Sequence, residues 1–299
     1  MNPSVADVPS LQSAQVTLDA LHTGVMWGWF VTMNMWAKSV ATGVLLVGAF
    51  MMRRHAQSEG FYRKWMPIIG FVFINLTLLF TVLDLHQIFR FWHQFAHPHF
   101  TSAINVGAWL LTAYTGLLTL MLFALWRRDE KLWDRLLWPT VVLAFFSTIY
   151  TAALMGQASA REVWQTPAEI GQTLLAALLA GSATFLLFGQ RTDDESLSLA
   201  WILGLSALVA LVVFVAELVF APQKSEEAAY IIHTLLSGNL RTLFLAGLGL
   251  GFVVPAVLVL ASVRAKQPVA LKLAAVSGLV GLWLVKHAWL IAPQLIPLS

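Results

Sequence analysis

The sequence predicts an all-α integral membrane protein with eight transmembrane helices. Three observations carry this. The 299 residues are 59% hydrophobic and only 11% charged, against about a quarter charged in soluble domains. Apolar stretches of about 20 residues, enough to cross roughly 30 Å of hydrocarbon, recur along nearly the whole length. Lys and Arg collect in every second loop. A backbone that crosses lipid must satisfy its own hydrogen bonds, so each stretch is read as a helix.

The spans fall at 28–50, 67–84, 106–126, 136–156, 168–188, 198–220, 240–263 and 269–291. Residues 1–27 form a polar N-terminal segment, and 28–299 form one membrane domain. The N-terminal segment contains Asp7 and Asp19 but no Lys or Arg. It lacks the basic start of a signal peptide, so no cleavage is expected.

Span 1 carries Trp27, Asn34 and Lys38 at spacings of seven and four, which puts them on one helical face. Lys38 lies about half-way across. It needs a carboxylate, carbonyl or water partner, or must be neutral, and is either a functional ammonium or a structural one. Span 2 ends in Asp84, on one face with Thr77 and Thr81. A carboxylate at that depth can exchange protons or order the following loop. His22 precedes span 1, where an imidazole can hydrogen-bond a carbonyl and swap a proton with it.

The loop 85–105 is dense in aromatics and histidine and too apolar for a solvated linker, so it is expected to fold onto the membrane surface or a partner. Span 3 carries a polar and small stripe, Asn105, Trp109, Thr112, Gly116 and Thr119, which reads as a packing seam. Glu169 opens span 5, where a carboxylate suits the helix dipole. Glu217 is the only charged residue of span 6. It can relay protons or pair with Lys286 of span 8. Gly43, Gly247 and Gly251 mark close helix contacts, and Pro255 a kink in span 7.

Twelve Lys and Arg residues flank the loops after spans 1, 3, 5 and 7, and four lie on the opposite side. The positive-inside rule then puts both termini outside, in the periplasm of a Gram-negative host. His22, His86, His93, His97, His99 and His233 become external, with His287 near the outer end of span 8. The sequence pI of about 9.3 is explained by the basic loops, not by nucleic acid. The chain has no cysteine, so it supplies no thiolate for an iron–sulfur cluster or metal. Paired intramembrane histidines for haem are also missing, so no haem, iron–sulfur cluster or metal is expected to be bound.

Specific motifs accompany this pattern. Span 2 ends Asp84-Leu85-His86-Gln87-Ile88-Phe89-Arg90-Phe91-Trp92-His93, followed by Pro98, Phe100, Ser102 and Gly107-Ala108-Trp109. Tyr150-Thr151 runs through Gln157 to Arg161, Trp164 and Pro167. Leu240-Arg241 runs through Gly247 and Gly251 to Pro255. Together these resemble the NrfD/PsrC family, the membrane subunits of polysulfide reductase-like complexes. His86, Gln87 and Ile88 stand where the family pattern has Gly, Arg and Pro. The resemblance implies two four-helix bundles and a quinone or quinol near the outer face. It also implies electron exchange with a ferredoxin-like iron–sulfur subunit and a molybdopterin catalytic subunit beyond it. By position, Asp84 and His22 match the proton-exchanging groups near the quinone head, with Arg90 in the signature loop.

The leading reading is therefore a quinone-reacting anchor of the bacterial inner membrane. Its expected quinone site is His22, Trp27, Asn34, Lys38, Asp84, Arg90 and Trp109. Lys38, Glu217 and Lys286 are candidates for a proton path. Two readings compete. A secondary transporter predicts repeats and broken helices meeting at the midplane. A structural anchor predicts that Asp84→Asn and His22→Ala leave quinol turnover unchanged.

Overall fold

The computed structural model describes residues 25–85, 88–158, 161, 163–188, 193–265 and 268–295. Among these there is no strand, and eight helices are long and apolar enough to cross a membrane. They are α1 Trp29–Arg54, α2 Glu59–Asp84, α3 Ala103–Arg127, α4 Glu130–Gly156, α5 Thr166–Leu187 and α6 Asp193–Phe220. The seventh, α7, is built from Arg241–Leu248, a π-turn at Gly249–Val253, and Val254–Ala265; α8 is Pro268–Ile291. The protein is thus a multi-pass membrane protein.

Helices α1–α4 form one four-helix bundle and α5–α8 the second. They join where α1 packs on α5 and α8, and α4 on α5. The division of labour is visible in burial. In the most apolar windows of α1 and α5, 78% and 67% of residues are buried, against 28–44% elsewhere. These two helices are the shared core, and the others turn broad apolar faces outward, as lipid-facing helices do. Contact is close because glycines face each other. A Cβ on Gly43 would overlap the Ala177 carbonyl oxygen, and one on Gly281 would overlap the Gly251 backbone nitrogen. Small residues substitute here for a hydrophobic drive that lipid does not supply.

The starts of α2 and α4 lie furthest ahead of what hydropathy indicates: Glu59 rather than 67, and Glu130 rather than 136. The extra turns are polar and held by ion pairs. Arg63 reaches Glu59 at 2.5 Å on its own helix and Asp134 at 2.9 Å on α4. Asp129 caps α4 by accepting the Leu132 N–H at 2.9 Å, a standard N-terminal device. In α7, Pro255 lacks the N–H a regular helix would use, and the π-turn just before it absorbs the mismatch.

One face of the molecule carries Arg53, Arg54, Arg63 and Lys64 and is here called the basic face. The opposite, aromatic face carries a 3₁₀ turn at Ile88–Arg90, a one-turn helix at His93–Ala96 and the surface helix Glu226–Leu236. The loop after α2 therefore does fold back onto the helix ends. Gln157 fixes it, accepting the Ala103 N–H at 3.2 Å and donating to the Thr101 carbonyl at 3.3 Å. The first and last spans meet on this face: the Trp27 N–H donates to Gln294 Oε1 at 2.9 Å, and Gln294 Nε2 donates to the Trp27 carbonyl at 3.1 Å.

Candidate functional site

Beneath the aromatic loop, α1–α4 enclose a cavity of about 250 Å³, near the lower end of small-molecule sites, roughly 300–1,000 Å³. Its wall is mainly apolar, from Val31, Met35, Leu78, Phe80, Leu111, Leu154 and Met155. Phe91 and Phe95 roof it from the loop. Among its polar groups are Asn34 and Lys38 of α1, Thr81 and Asp84 of α2, Gln94 of the one-turn helix, and Tyr150 and Thr151 of α4.

Lys38 lies at the deep end, 4% exposed. Its ammonium donates to the Thr151 hydroxyl and sits 4.3 Å from the centre of the Tyr150 ring. An ammonium at the middle of a spanning helix costs roughly 2.5–3.5 kcal/mol on insertion scales. A charged hydrogen bond contributes about 1.5–3 kcal/mol and an aromatic face about 0.5–2 kcal/mol. The two contacts are of the size needed to hold Lys38 in place.

Asn34 is fixed from α2. Its Nδ2 donates to the Thr77 carbonyl at 3.0 Å and to Thr81 Oγ1 at 2.5 Å. That occupies the amide N–H groups and leaves the carbonyl oxygen as an acceptor. Asp84 is half-buried at the end of α2, on the cavity rim. Trp27 closes the side toward the second bundle, stacked on Trp164 with ring centres 5.3 Å apart. Gln94 is held by Asn105, whose Nδ2 donates to the Gln94 carbonyl at 2.6 Å and to its Oε1 at 3.1 Å. The cavity reaches the outside past Leu85, Phe91, Ile104 and Thr112, all exposed. Ile104 and Thr112 lie on α3, so the opening is on a helical surface that lipid would cover.

Trp27, Asn34, Lys38 and Asp84 are thus brought together. Arg90 is exposed on its 3₁₀ turn and does not line the cavity. Trp109 is 41% exposed and stands edge-on to Phe95 at 5.3 Å, behind the roof rather than in the wall. His22 lies outside the described residues. Glu217 pairs with Lys224 at 3.8 Å, not with Lys286. Lys286 faces a second, much smaller cavity on the far side of Lys38. Glu169 is 3% exposed and accepts the indole N–H of Trp289 at 2.8 Å, so it is a buried core carboxylate rather than a simple helix-end charge. Gln94 and Ile104 join the site without being singled out by sequence reasoning, and Tyr150 joins it having been named only as part of a family motif. Gln94 carries one available signal, an amide flanked by aromatics with Asn105 eleven residues on.

The fold and cavity define a class: an eight-helix membrane protein with a lipid-facing apolar pocket, a carboxylate at its rim and an ammonium at its base. Residues 18–297 match the family model described as Polysulphide reductase, NrfD. The chain belongs to that family, and is a membrane subunit of the oxidoreductase-complex kind. No curated protein matches it.

Proposed function

We propose that the chain is the quinone- or quinol-reacting anchor of such a complex, exchanging electrons with a docked ferredoxin-like iron–sulfur subunit that serves a molybdopterin subunit. The observation that carries this is the α1–α4 cavity. A quinone head is a flat apolar ring with two polar oxygens, and it arrives from lipid. The cavity offers aromatic and aliphatic walls, a few polar groups and a lateral opening, which fits that chemistry.

The substrate carries the two electrons; the chain positions it and handles protons. Phe91, Phe95 and Trp27 confine the ring and exclude water. The Asn34 carbonyl oxygen and the Gln94 amide are suited to orient the substrate oxygens. Asp84 and Lys38 take or give the two protons that accompany the electrons, as general acid–base groups. His22 stays a candidate for the same role. Exposed Phe89 and Phe100, 93% and 70% accessible, suit the aromatic face to dock the partner. By the positive-inside rule that face is outside, in a bacterial inner membrane.

A transporter needs discontinuous helices at its site. Among the described residues only α7 is interrupted within a span, and none of its residues lines the cavity. The test is quinone kinetics in the assembled complex with Ile104→Trp at the opening. KM for quinone should rise while kcat is kept. Turnover insensitive to this change and to quinone-site inhibitors would refute the assignment.

A further inference from the structure

We propose that protons exchanged at the cavity leave sideways, from Lys38 through the junction of the two bundles to Glu169 and Glu217, and reach water on the same aromatic face beside Lys224. This rests on the quinone reading above.

Lys38 lines two cavities. Besides the large one, it borders a space of about 10 Å³ with Ser39, Thr42, Thr148, Thr151, Thr173 and Lys286. That is about the size needed for one water, roughly 10–15 Å³. Hydroxyls both donate and accept, and here they touch: Thr148 Oγ1 donates to Thr42 Oγ1 at 2.8 Å, and Thr151 receives Lys38. Lys286 forms the far wall with Thr173, one turn from Glu169 on α5, and Glu169 accepts from Trp289, one turn from Lys286 on α8. Trp289, the partner of Glu169, meets Phe214 of α6 edge-on at 5.3 Å, one turn before Glu217, which pairs with Lys224. Lys224 is 37% exposed at its side chain and lines an open pocket of about 450 Å³ together with Arg161 and Thr166.

An independent observation marks the junction as a place for water. Gln172 Nε2, one turn from Glu169, and Ser147 Oγ, one turn from Thr151, are buried without a hydrogen-bond partner among the described residues. Buried polar atoms of this kind are normally satisfied, commonly by ordered water.

Toward the basic face the route closes. From Thr42 to Arg53, α1 runs through about 16 Å of helix. That length is sealed by the Gly43–Gly181 contact and by fully buried Leu45, Met51, Met66, Leu118, Met121 and Phe185. Tyr114 donates to the Ala41 carbonyl at 2.7 Å. A charge in that layer would be unpaired in an apolar medium.

In quinol oxidation, each O–H gives its electron to the partner's iron–sulfur acceptor and its proton to the Asp84 carboxylate or to the Lys38 amine, once the Lys38 ammonium has passed its own proton into the small cavity. The relay groups each take one proton and pass one on; reduction runs the same steps backward. The experiment uses the assembled complex in sealed vesicles, with pH dyes on each side, and the variants Glu169→Gln and Lys286→Met. Glu169→Gln preserves the local packing, because an amide oxygen at that position still accepts from Trp289, and assembly is checked for both variants. Both should cut turnover by on the order of tenfold to a hundredfold, with quinone affinity, read by tryptophan quenching, unchanged. In the parent complex, protons should appear only on the aromatic face. Unchanged turnover in both variants, or proton release on the basic face, would overturn the proposal while leaving quinone binding intact. A complex that binds no quinone would instead remove the reading beneath it.

Discussion

Lys38 sits where its removal separates function from stability. Its ammonium is held by one hydroxyl and one ring face, and methionine, of similar length, gives up those contacts but also removes the intramembrane charge, which costs roughly 2.5–3.5 kcal/mol. Lys38→Met should therefore leave the detergent melting temperature equal or higher while quinone turnover falls. A protein that fails to assemble would mark Lys38 as purely structural. Asp84→Asn keeps the size and removes the proton, so kcat should fall by about 10²–10⁴ with assembly intact. Wild-type kcat in this variant would favour the structural-anchor reading. The shared face of Asn34 and Lys38 is legible in the sequence because helical spacing fixes faces and few polar groups survive in an apolar span; Asp84 lies on another helix, and its place beside them comes from the family resemblance. Trp109 departs from its expected place because its ring packs edge-on against Phe95 of the roof, a contact set by how the loop folds back and not by helical spacing.

At the scale of elements, the α1–α5 contact is the stiffest joint. Gly43→Ala drives a methyl into the Ala177 carbonyl oxygen, so the helices must part. A loss of about 1–3 kcal/mol is expected from such overpacking, read as a lower denaturation midpoint in detergent. Gly60→Ala, in the first turn of α2, meets nothing within 4 Å and should be neutral or gain about 0.4–1 kcal/mol. Equal behaviour of the two variants would show that close approach does not hold the bundles together. Gly43, Gly247 and Gly251 stand out in the sequence, but their partners Gly181, Val285 and Gly281 lie on other helices and emerge only on folding. Hydropathy also finds the apolar zone of each helix rather than the helix itself. The polar first turns of α2 and α4, held by Arg63 and its two carboxylates, lie beyond its reach.

For the whole molecule, the spans are legible because lipid allows so few solutions, whereas the two-bundle arrangement comes from the family resemblance. The cavity is not legible, since its roof and mouth depend on how residues 88–104 fold back. Sidedness can be checked on a chain without cysteine. An impermeant maleimide should label Phe89→Cys in intact spheroplasts and leave Lys131→Cys unlabelled; the reverse would invert the orientation. The claim on which the account depends is that a quinone head occupies the α1–α4 cavity. It is tested most directly by photolabelling the assembled complex with a short-tailed azidoquinone and mapping the adducts. Adducts on α1–α4 around Lys38, Asp84 and Ile104, lost when native quinone competes, are the predicted result. Adducts confined to α5–α8, or none that native quinone displaces, would contradict it.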